Sequence, residues 1–568
     1  MTRNIFLLLT LTAAGAALPA AAQNLADGAR FASDDLMGTA RYRSMAGAFG
    51  ALGGDPSAMG DNPAGMAVYR GTSEISLTPH LASVRTETSG SVTGKEKKND
   101  FSIGNLAYVL SFKTENAKSL VNVNVGIGFN HTEGTDRHYS TGLDRARSSF
   151  SDYIANGTNN ALISESARTG DQLYFDPGYL GTKDAWGDAT MPLMSLMAYE
   201  AGVIMDAYDD YGPAGVVSYD RAGGLPYAQR MYVREQNRLD EYNISLSANW
   251  SDLIYGGLTL SITDMNSTVM SQIDEAYGPK EYTFYENALE TRGSGVNLKL
   301  GVIVKPIDAW RIGVAVHTPT WMTMKDVYSG LMETDALTKG SPSGEYEFHY
   351  RYSSPWEFQV STAYVLGTRG LVSFEYDMRD FSSMKYREDR DSRRDPYFGY
   401  VNGLIGDYMQ MQHTVKVGGE LRLTPRLSLR AGYQYRTEPF KAEVYDALQG
   451  RSWYVDGGAE WSNENEVMFS SSTKPNYSLL RGQSFVTGGI GWRGTGWFVD
   501  LACVARRQHE RVAAFPTSDA LLYNLDDRGD IVSLGGMSAD AEVGAVTADH
   551  IPMLTRTLSW DLTLGFKF

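Results

Sequence analysis

The 568-residue sequence has a single cysteine, Cys503, and little positive charge. One thiol cannot form a disulfide within the chain, so the fold has to be stable without cross-links. The 51 Lys and Arg residues are outnumbered by 67 Asp and Glu, which gives a net charge of −16 at pH 7. A protein this acidic repels the phosphates of nucleic acid, so nucleic acid is not an expected partner.

A long hydrophobic run is also missing. After the N-terminal region no segment reaches the ~18 consecutive apolar residues of a membrane-spanning helix. The first residues, MTRNIFLLLTLTAAGAALPAAAQ, combine Arg3, a short apolar stretch and the small residues Ala20–Ala22. This pattern predicts a secretory signal peptide over residues 1–22, with cleavage before Gln23. An exported chain without a membrane-spanning helix is either a soluble secreted protein or an outer-membrane β-barrel.

Glycine and tyrosine, in contrast, are abundant, with 59 and 34 residues. They suit strands and turns better than helices. In the last segment, Leu558–Phe568, even positions are large and apolar and odd positions are polar or small. Because side chains alternate between the faces of a strand, this segment has one continuously apolar face. The terminal Phe568 resembles the signal that outer-membrane barrels present to the barrel assembly machinery.

Fourteen segments show this alternation, namely residues 73–84, 100–113, 119–131, 229–250, 256–273, 292–305, 309–323, 344–366, 370–381, 408–424, 426–438, 482–493, 496–508 and 554–568. Short connections alternate with long ones, the longest at 132–228, as in barrels with short turns on one side of a membrane. Residues 72–568 are therefore predicted to form a fourteen-stranded antiparallel transmembrane β-barrel in an all-β fold. A soluble β-protein is the alternative, but no soluble fold requires this layout. Pro355 removes a ladder hydrogen bond, so a kink or bulge is expected there.

Residues 23–71 precede the strands and form a separate segment. Its centre, Gly38–Gly65, reads GTARYRSMAGAFGALGGDPSAMGDNPAG and is too small and glycine-rich to form its own core. A wide barrel leaves a lumen that water or a plug has to fill. We therefore expect residues 23–71 to form a small helical or irregular hatch inside the lumen. It should end in a turn at Asn62 and Pro63, where Gly65 permits a left-handed conformation.

The hatch stretch resembles the N-terminal hatch of the FadL/TodX family of outer-membrane transporters. The matching positions are Gly38, Ala40, Met45, Gly47, Phe49, Asp55, Asn62, Pro63, Ala64 and Gly65. The resemblance implies passive transport of long-chain fatty acids or other hydrophobic molecules across the outer membrane of a Gram-negative-type cell. It also implies that hatch movement releases the ligand sideways, through a gap beside an inward-kinked third strand. Gly126 and Gly128, on the inward face of that strand, are where the kink is expected.

A fatty-acid ligand would place its carboxylate beside a cation. The cations predicted to face the lumen are Lys299, Arg311, Lys416, Arg430 and Arg436. For each of them, pairing with an inward acid such as Glu375, Glu420 or Asp500 is the alternative. A helix predicted over residues 191–205 carries the candidate ligand-gathering residues Leu193, Met194, Met197 and Ile204. A soft, methionine-rich surface suits an alkyl chain, and packing on the barrel rim explains the same pattern equally well.

The sequence contains no grouping that indicates catalysis. The eight histidines show no metal or haem spacing, and no Ser/His/Asp set or phosphate-binding loop is recognisable. Enzymatic activity, a cofactor and a metal are therefore not expected. The expected partners are hydrophobic small molecules, outer-membrane lipid and the barrel assembly machinery, and the expected state is a monomer. The alternative function is a receptor for haem or another surface ligand, or an adhesin, that uses the long loops.

Overall fold

The computed structural model describes residues 25–33, 35–114, 119–133, 136–158, 193–209, 212–218, 225–335, 340–388, 396–444, 474–516, 523–525, 531–534 and 548–568. The predicted signal peptide and residues 159–192 of the longest connection lie outside these ranges. Within them, no helix has the length and apolar character needed to cross a membrane.

Fourteen antiparallel strands form one closed barrel. They are β1 (Glu74–Thr88), β2 (Lys95–Lys113), β3 (Leu120–Glu133, continued by Arg137–Asp144), β4 (Ala228–Trp250), β5 (Ile254–Ala276), β6 (Tyr282–Ile307), β7 (Trp310–His317 and Trp321–Thr334), β8 (Ser341–Ser353 and Trp356–Val365), β9 (Gly370–Asp380, continued by Lys385–Glu388), β10 (Met411–Arg422), β11 (Leu427–Arg436), β12 (Tyr477–Arg493), β13 (Trp497–Ala513) and β14 (Ile551–Lys567). Strands adjacent in sequence pair with each other, and β1 pairs with β14 to close the barrel. The predicted strand number and antiparallel order are confirmed.

The half of the wall nearer the short turns is apolar outside and polar inside. In β5, Leu258 and Leu260 are exposed, whereas Thr259 and Ser261 are buried. The pattern recurs around the barrel and forms an outer apolar belt. Exposed tryptophans lie at the short-turn edge of this belt: Trp250, Trp310, Trp492 and Trp497. Such a belt with an aromatic rim is typical of a barrel whose outer face contacts lipid.

Farther along the same strands, toward the long loops, the inner face becomes apolar and the outer face becomes polar. Beyond Thr263, the apolar residues of β5 point inward, and Met265, Val269 and Ile273 are almost completely buried. A tilted strand crosses a membrane with about 9–11 residues, so β5 is long enough to extend well beyond the belt. The extending, long-loop half encloses a large apolar cluster. The predicted segments stop where the alternation reverses, so the observed strands are longer than predicted. For example, β6 begins at Tyr282 rather than at residue 292.

The N-terminal segment lies inside the barrel. It contains helix α1 (Leu25–Phe31), helix α2 (Ala40–Ser44) and two 3-10 helices, Pro56–Met59 and Pro63–Val68. Helix α1 packs into the apolar cluster of the long-loop half. The stretch from α2 to the second 3-10 helix contacts the inner face of strands around the short-turn half. The predicted helical or irregular hatch within the lumen is thus observed.

Further helices lie in the connections of the long-loop half. Residues 150–158 are helical, and they are followed by α3 (Leu193–Glu200) and α4 (Pro396–Tyr408). Two small hairpins also occur among the described residues: Ile204–Asp209 with Gly212–Ser218, and Tyr523–Leu525 with Ile531–Leu534. Side chains from the helices enter the apolar cluster, so this half of the lumen is filled by its own connections.

Three adjacent strands, β7 to β9, are interrupted at one level. β8 breaks at Ser354–Pro355, which confirms the irregularity expected at this proline, and β7 breaks around Pro319. β9 is broken by a 3-10 helix, Phe381–Ser383. Proline lacks the N–H that a ladder needs. Local hydrogen bonds join the broken strands, including Ser354 N to Thr320 O at 3.1 Å.

Candidate functional site

Short-range hydrogen bonds hold the hatch together. Thr39 caps α2, because its hydroxyl accepts from Tyr42 N at 3.2 Å and donates to the Asp55 carboxylate at 2.9 Å. Asp55 accepts from Ser57 N at 3.0 Å and so caps the following 3-10 helix. Ser57 Oγ in turn accepts from Thr39 N at 2.8 Å. Asp55, one of the motif positions, therefore links the N-terminus of α2 to the N-terminus of the first 3-10 helix.

The Asn62–Ala64 turn, predicted to end the hatch, instead begins the last 3-10 helix of the hatch, Pro63–Val68. Asn62 Oδ1 accepts from Ala64 N at 3.1 Å, while its Nδ2 donates to Gly50 O at 2.6 Å. The left-handed conformation predicted for Gly65 is wrong, because its φ is not positive. Packing requires glycine here instead: a Cβ on Gly65 would lie 2.8 Å from an alanine Cβ of the hatch.

Glycines of the barrel wall face the hatch where the two approach closely. A Cβ on Gly257 of β5 would lie 2.5 Å from Ala64 N, and one on Gly301 of β6 would lie 2.9 Å from Asn62 Cγ. On other strands the same close approach to hatch residues 44–50 is made by Gly313, Gly418, Gly432 and Gly489. A side chain would not fit at these distances, so the wall and the hatch are shaped to each other.

Polar side chains from many strands bind the hatch backbone. Asn124 Nδ2 of β3 donates to Met66 O at 2.8 Å, and Thr487 Oγ1 of β12 donates to Ser44 O at 2.9 Å. Further bonds of 2.7–3.1 Å join Ala40 N to Thr563 Oγ1, Lys299 Nζ to Gly60 O, His317 Nε2 to Asp61 O and Asn122 Nδ2 to Ala67 O. The hatch is therefore held on opposite sides of the lumen, and moving it as a whole requires breaking several bonds.

Gly126 and Gly128 of β3 make room for the hatch. The ladder runs past both glycines without a register shift, on the β2 side and on the β4 side. The pairing is therefore regular at these positions, and the kink itself stays a prediction. A Cβ on Gly126 would lie 2.7 Å from Met59 Sδ and 2.6 Å from Met66 Cε, and one on Gly128 would lie 2.7 Å from Met59 Cε. Two hatch methionines therefore occupy the space that side chains at these two positions would take.

All five cations proposed for a ligand carboxylate have protein partners. The contacts are Lys416 Nζ to Glu375 Oε1 (2.6 Å), Arg430 Nη1 to Asp500 Oδ1 (2.6 Å), Lys299 Nζ to Glu241 Oε2 (2.7 Å), Arg436 Nη1 to Gln483 Oε1 (3.4 Å) and Arg311 Nη1 to the hatch carbonyl of Leu52. The alternative of acid pairing is thus observed for Lys299, Lys416 and Arg430. A role for any of the five in ligand binding stays a prediction.

A polar cavity of about 160 Å³ lies between the hatch and the apolar cluster. Its lining includes the cations Lys299, Lys416 and Arg436 together with Asp61 of the hatch. Gln359 Nε2 donates to Asp61 Oδ1 at 2.7 Å. Burial raises the pKa of Asp61, and the Lys416 ammonium, 4.0 Å away, opposes this shift. The charged lining suits water or a polar head group better than an alkyl chain.

The four residues predicted to gather ligand lie in the apolar cluster rather than on an outer surface. The buried side chains are those of Leu193, Met194, Met197 and Ile204. Helix α3 ends at Glu200, short of the predicted residue 205. The cause is Gly202, whose φ is +74°, followed by a hydrogen bond from Val203 N to Ala198 O. These four side chains therefore pack inside the long-loop half rather than on the barrel rim, and a role in gathering ligand stays a prediction.

A second cavity, of about 70 Å³, is bordered by α1 and by strands of the long-loop half. Its lining combines apolar side chains, including Phe31, Met265 and Phe440, with charged ones: Arg30, Arg137, Arg238, Arg506 and Glu510. Sequence reasoning missed this cavity, because α1 lies in a polar stretch before the hatch motif. The only signal is that Asp27 and Arg30 stand three positions apart among the apolar residues of LADGARF, a spacing typical of a helix.

The fold is similar to solved structures of outer-membrane transporters. A Pseudomonas aeruginosa FadL homologue aligns with 94% of this chain and 99% of its own, at 12% identity and a TM-score of 0.48. The toluene transporters TbuX of Ralstonia pickettii and TodX of P. putida align over the same shares, each at 11% identity and a TM-score of 0.47. No protein-family profile and no curated protein matches the sequence.

Proposed function

We propose that this protein is a FadL/TodX-type transporter that carries hydrophobic molecules passively across the outer membrane of a Gram-negative-type cell. The observation that supports this most is the glycine-rich hatch, which fits the lumen and contacts wall glycines such as Gly257, Gly301 and Gly432. A general diffusion porin needs an open lumen. A fitted plug is instead what a selective, closable passage requires.

The outer surface supports placement in a bilayer. The apolar belt with its tryptophan rim has the chemistry of a lipid-facing wall. Phe568 follows β14 directly, its side chain is exposed, and its backbone pairs with Ser73. We infer that this end is presented to the barrel assembly machinery and that the short turns face the periplasm. A closed barrel has no free edge to cover, so a monomer suffices.

The proposed route runs from the long-loop end toward the hatch. Met197, Met265 and Met324 belong to the apolar cluster through which a ligand would pass, and methionine side chains adapt readily to an alkyl chain. Displacement of the Asn62–Ala64 turn would then release the ligand. We place the sideways exit between β2 and β3, above the point where their shared ladder ends at the Asn105–Asn130 pair.

Long-chain fatty acids are the proposed substrates. Their alkyl chain matches the apolar cluster, and their carboxylate matches the cations that border the cavities. Mass spectrometry of molecules that copurify in mild detergent tests this substrate. Bound long-chain acids are expected. Haem in the preparation would instead favour the surface-receptor alternative and overturn the proposal.

The proposed gating role of the turn can be tested separately. Replacing Asn62-Pro63-Ala64 with Gly-Ser-Gly should leave the barrel folded, as judged by heat-modifiable mobility, because the strands do not depend on the turn. Uptake of a labelled fatty acid should change, because the turn would no longer be held against Gly257 and Gly301. Loss of the folded barrel would show that the turn is structural and would remove its gating role.

A further inference from the structure

We propose that a row of four cations on the outer face of the barrel binds the phosphates of lipid head groups in the outer leaflet of the membrane. The row consists of Lys97 on β2, Arg85 on β1, Arg556 on β14 and Arg507 on β13, and we call it the basic row. The inference goes beyond transport. It rests on one part of the proposed function, the orientation that places the long loops outside the cell.

The pairing of the four strands places these cations side by side. Arg85 lies directly opposite Lys97 on one neighbouring strand and opposite Arg556 on the other. Arg556 in turn lies opposite Arg507, and all four residues are exposed. Neighbouring strands are about 4.8 Å apart, so the row extends over roughly 15 Å. Like charges directly opposite each other destabilise a sheet, and an anion bound across them would remove this cost.

Few acids balance the basic row. Glu87 Oε2 lies 3.6 Å from Arg556 Nη1, but Oε1 of the same carboxylate lies 3.2 Å from Lys95 Nζ. Glu87 is the one outward-facing acid on the described residues of these four strands. The other three cations of the row have no hydrogen bond or ion pair with any residue that the structure describes. This face is therefore positively charged, although the chain as a whole carries a net charge of −16.

The basic row lies just beyond the apolar belt, on the long-loop side. Leu558 faces outward two residues from Arg556, and Leu81 faces outward four residues from Arg85. Phe101 lies directly opposite Leu81 and is 69% exposed. A strand that rises about 3.3 Å per residue and is tilted by roughly 40° places the row about 5–10 Å beyond these apolar residues along the membrane normal. The head-group layer on each side of a bilayer is about 5–8 Å thick, so the long cationic side chains reach the level of lipid phosphates.

Exposed cations on other parts of the outer face are paired with acids. The pairs on β4, β6 and β7 are Arg230 Nη2 with Asp144 Oδ1 (2.7 Å), Arg292 Nη2 with Glu290 Oε1 (2.7 Å) and Lys325 Nζ with Glu347 Oε2 (2.6 Å). Such pairs leave little net charge to attract an anion. The basic row, in contrast, contains three arginines, and a guanidinium can donate two parallel hydrogen bonds to one phosphate. A phosphorylated head group would therefore bind at the basic row.

The test measures the binding of lipid A to the purified full-length barrel in mild detergent by native mass spectrometry. Two forms of the lipid are compared, one that carries two phosphates and one from which both have been removed. The wild type should bind the phosphorylated form more tightly. In R85Q/R556Q its affinity should fall about 5-fold for each cation removed, the usual contribution of a basic residue beside an anionic membrane surface. Affinity for the dephosphorylated form should stay that of the wild type.

Two variants and one change of conditions serve as controls. R292Q removes an outer-face arginine whose side chain is 65% exposed and paired with an acid, and it should bind both forms as the wild type does. R85K/R556K keeps both charges and should retain most of the affinity for the phosphorylated form. Raising the sodium chloride concentration should weaken binding of that form by the wild type, because salt screens exposed charges.

The outcomes separate this inference from the transport proposal. Unchanged binding of phosphorylated lipid A by a folded R85Q/R556Q variant would overturn the role of the basic row. Equal affinity of the wild type for the two forms, or affinity independent of salt, would do the same. Displacement of the lipid by millimolar inorganic phosphate would show a site for free phosphate and would also refute the assignment.

A second variant keeps the test decisive if R85Q/R556Q does not fold. R507Q then replaces it: a selective loss of affinity for the phosphorylated form supports the proposal, and unchanged affinity refutes it. Transport of hydrophobic molecules would survive every negative result here, because its own tests measure bound or transported substrate. Conversely, unchanged fatty-acid uptake would leave the binding of lipid A to the basic row standing.

Discussion

Substituting Gly257 with alanine should displace the hatch turn without disturbing the strand that carries the substitution. The new Cβ would lie 2.5 Å from Ala64 N and closer still to the Pro63 carbonyl group. Non-bonded heavy atoms prefer separations of about 3.5–4.0 Å, so the turn has to retreat by roughly 1 Å. Overpacking of this kind costs about 1–3 kcal/mol. That cost is comparable to one or two hydrogen bonds such as Asn62 Nδ2 to Gly50 O.

The displaced turn should make the barrel more permeable. We expect G257A to raise ion conductance in planar bilayers and to alter uptake of a labelled fatty acid, while heat-modifiable mobility stays that of the folded barrel. G419A is the matched control, because a Cβ there would meet only Leu371 O, at 3.7 Å. If G257A and G419A both behaved as the wild type, the close fit between wall and hatch would not control the passage.

Three further changes test other parts of the structure. G128A should have a much smaller effect on conductance than G257A, because its Cβ would meet the flexible end of Met59 rather than backbone. K299M should lower the stability of the folded barrel by about 1–3 kcal/mol, because it leaves the Glu241 carboxylate without its cation; a loss of fatty-acid affinity with unchanged melting would instead make Lys299 a ligand-binding group. Burial lowers the pKa of His550 to about 4. Between about pH 6.5 and pH 4 the His550 imidazole is therefore protonated in the unfolded chain and neutral in the folded chain. Stability should therefore fall as pH drops through this window, and thermal melting of H550Q should show a shallower fall; parallel pH profiles would contradict the assignment.

Alternation of apolar residues was a sufficient guide to the barrel because lipid-facing positions have to be apolar. The alternation did not mark the strand ends, because outward positions beyond the bilayer no longer have to be apolar. In β5 the outward residues Leu258 and Leu260 give way to outward Asp264 and Asn266, while Met265 turns inward. A pattern search tuned to one apolar face stops at such a reversal, and the added length of the strands is lost with it.

The hatch could be predicted as a unit because its composition excludes an independent core. Its contacts could not, because they join residues far apart in sequence. Gly126 is such a case: sequence alone suggests a flexible strand, and only the positions of Met59 and Met66 show what the glycine accommodates. The partners of the inward cations were equally out of reach of sequence reasoning. Lys416 is indistinguishable in sequence from a ligand-binding lysine until Glu375 of the neighbouring strand is placed 2.6 Å from its ammonium.

The central claim is that this barrel passes hydrophobic molecules under control of its hatch. This claim is tested by the initial rate of labelled hexadecanoate uptake in cells that carry the protein and in cells that lack it. The two strains have to contain equal amounts of the intracellular enzymes that consume the acid. We expect faster uptake in the cells that carry the protein. Equal rates in the two strains, with the folded barrel present in the outer membrane, would contradict it.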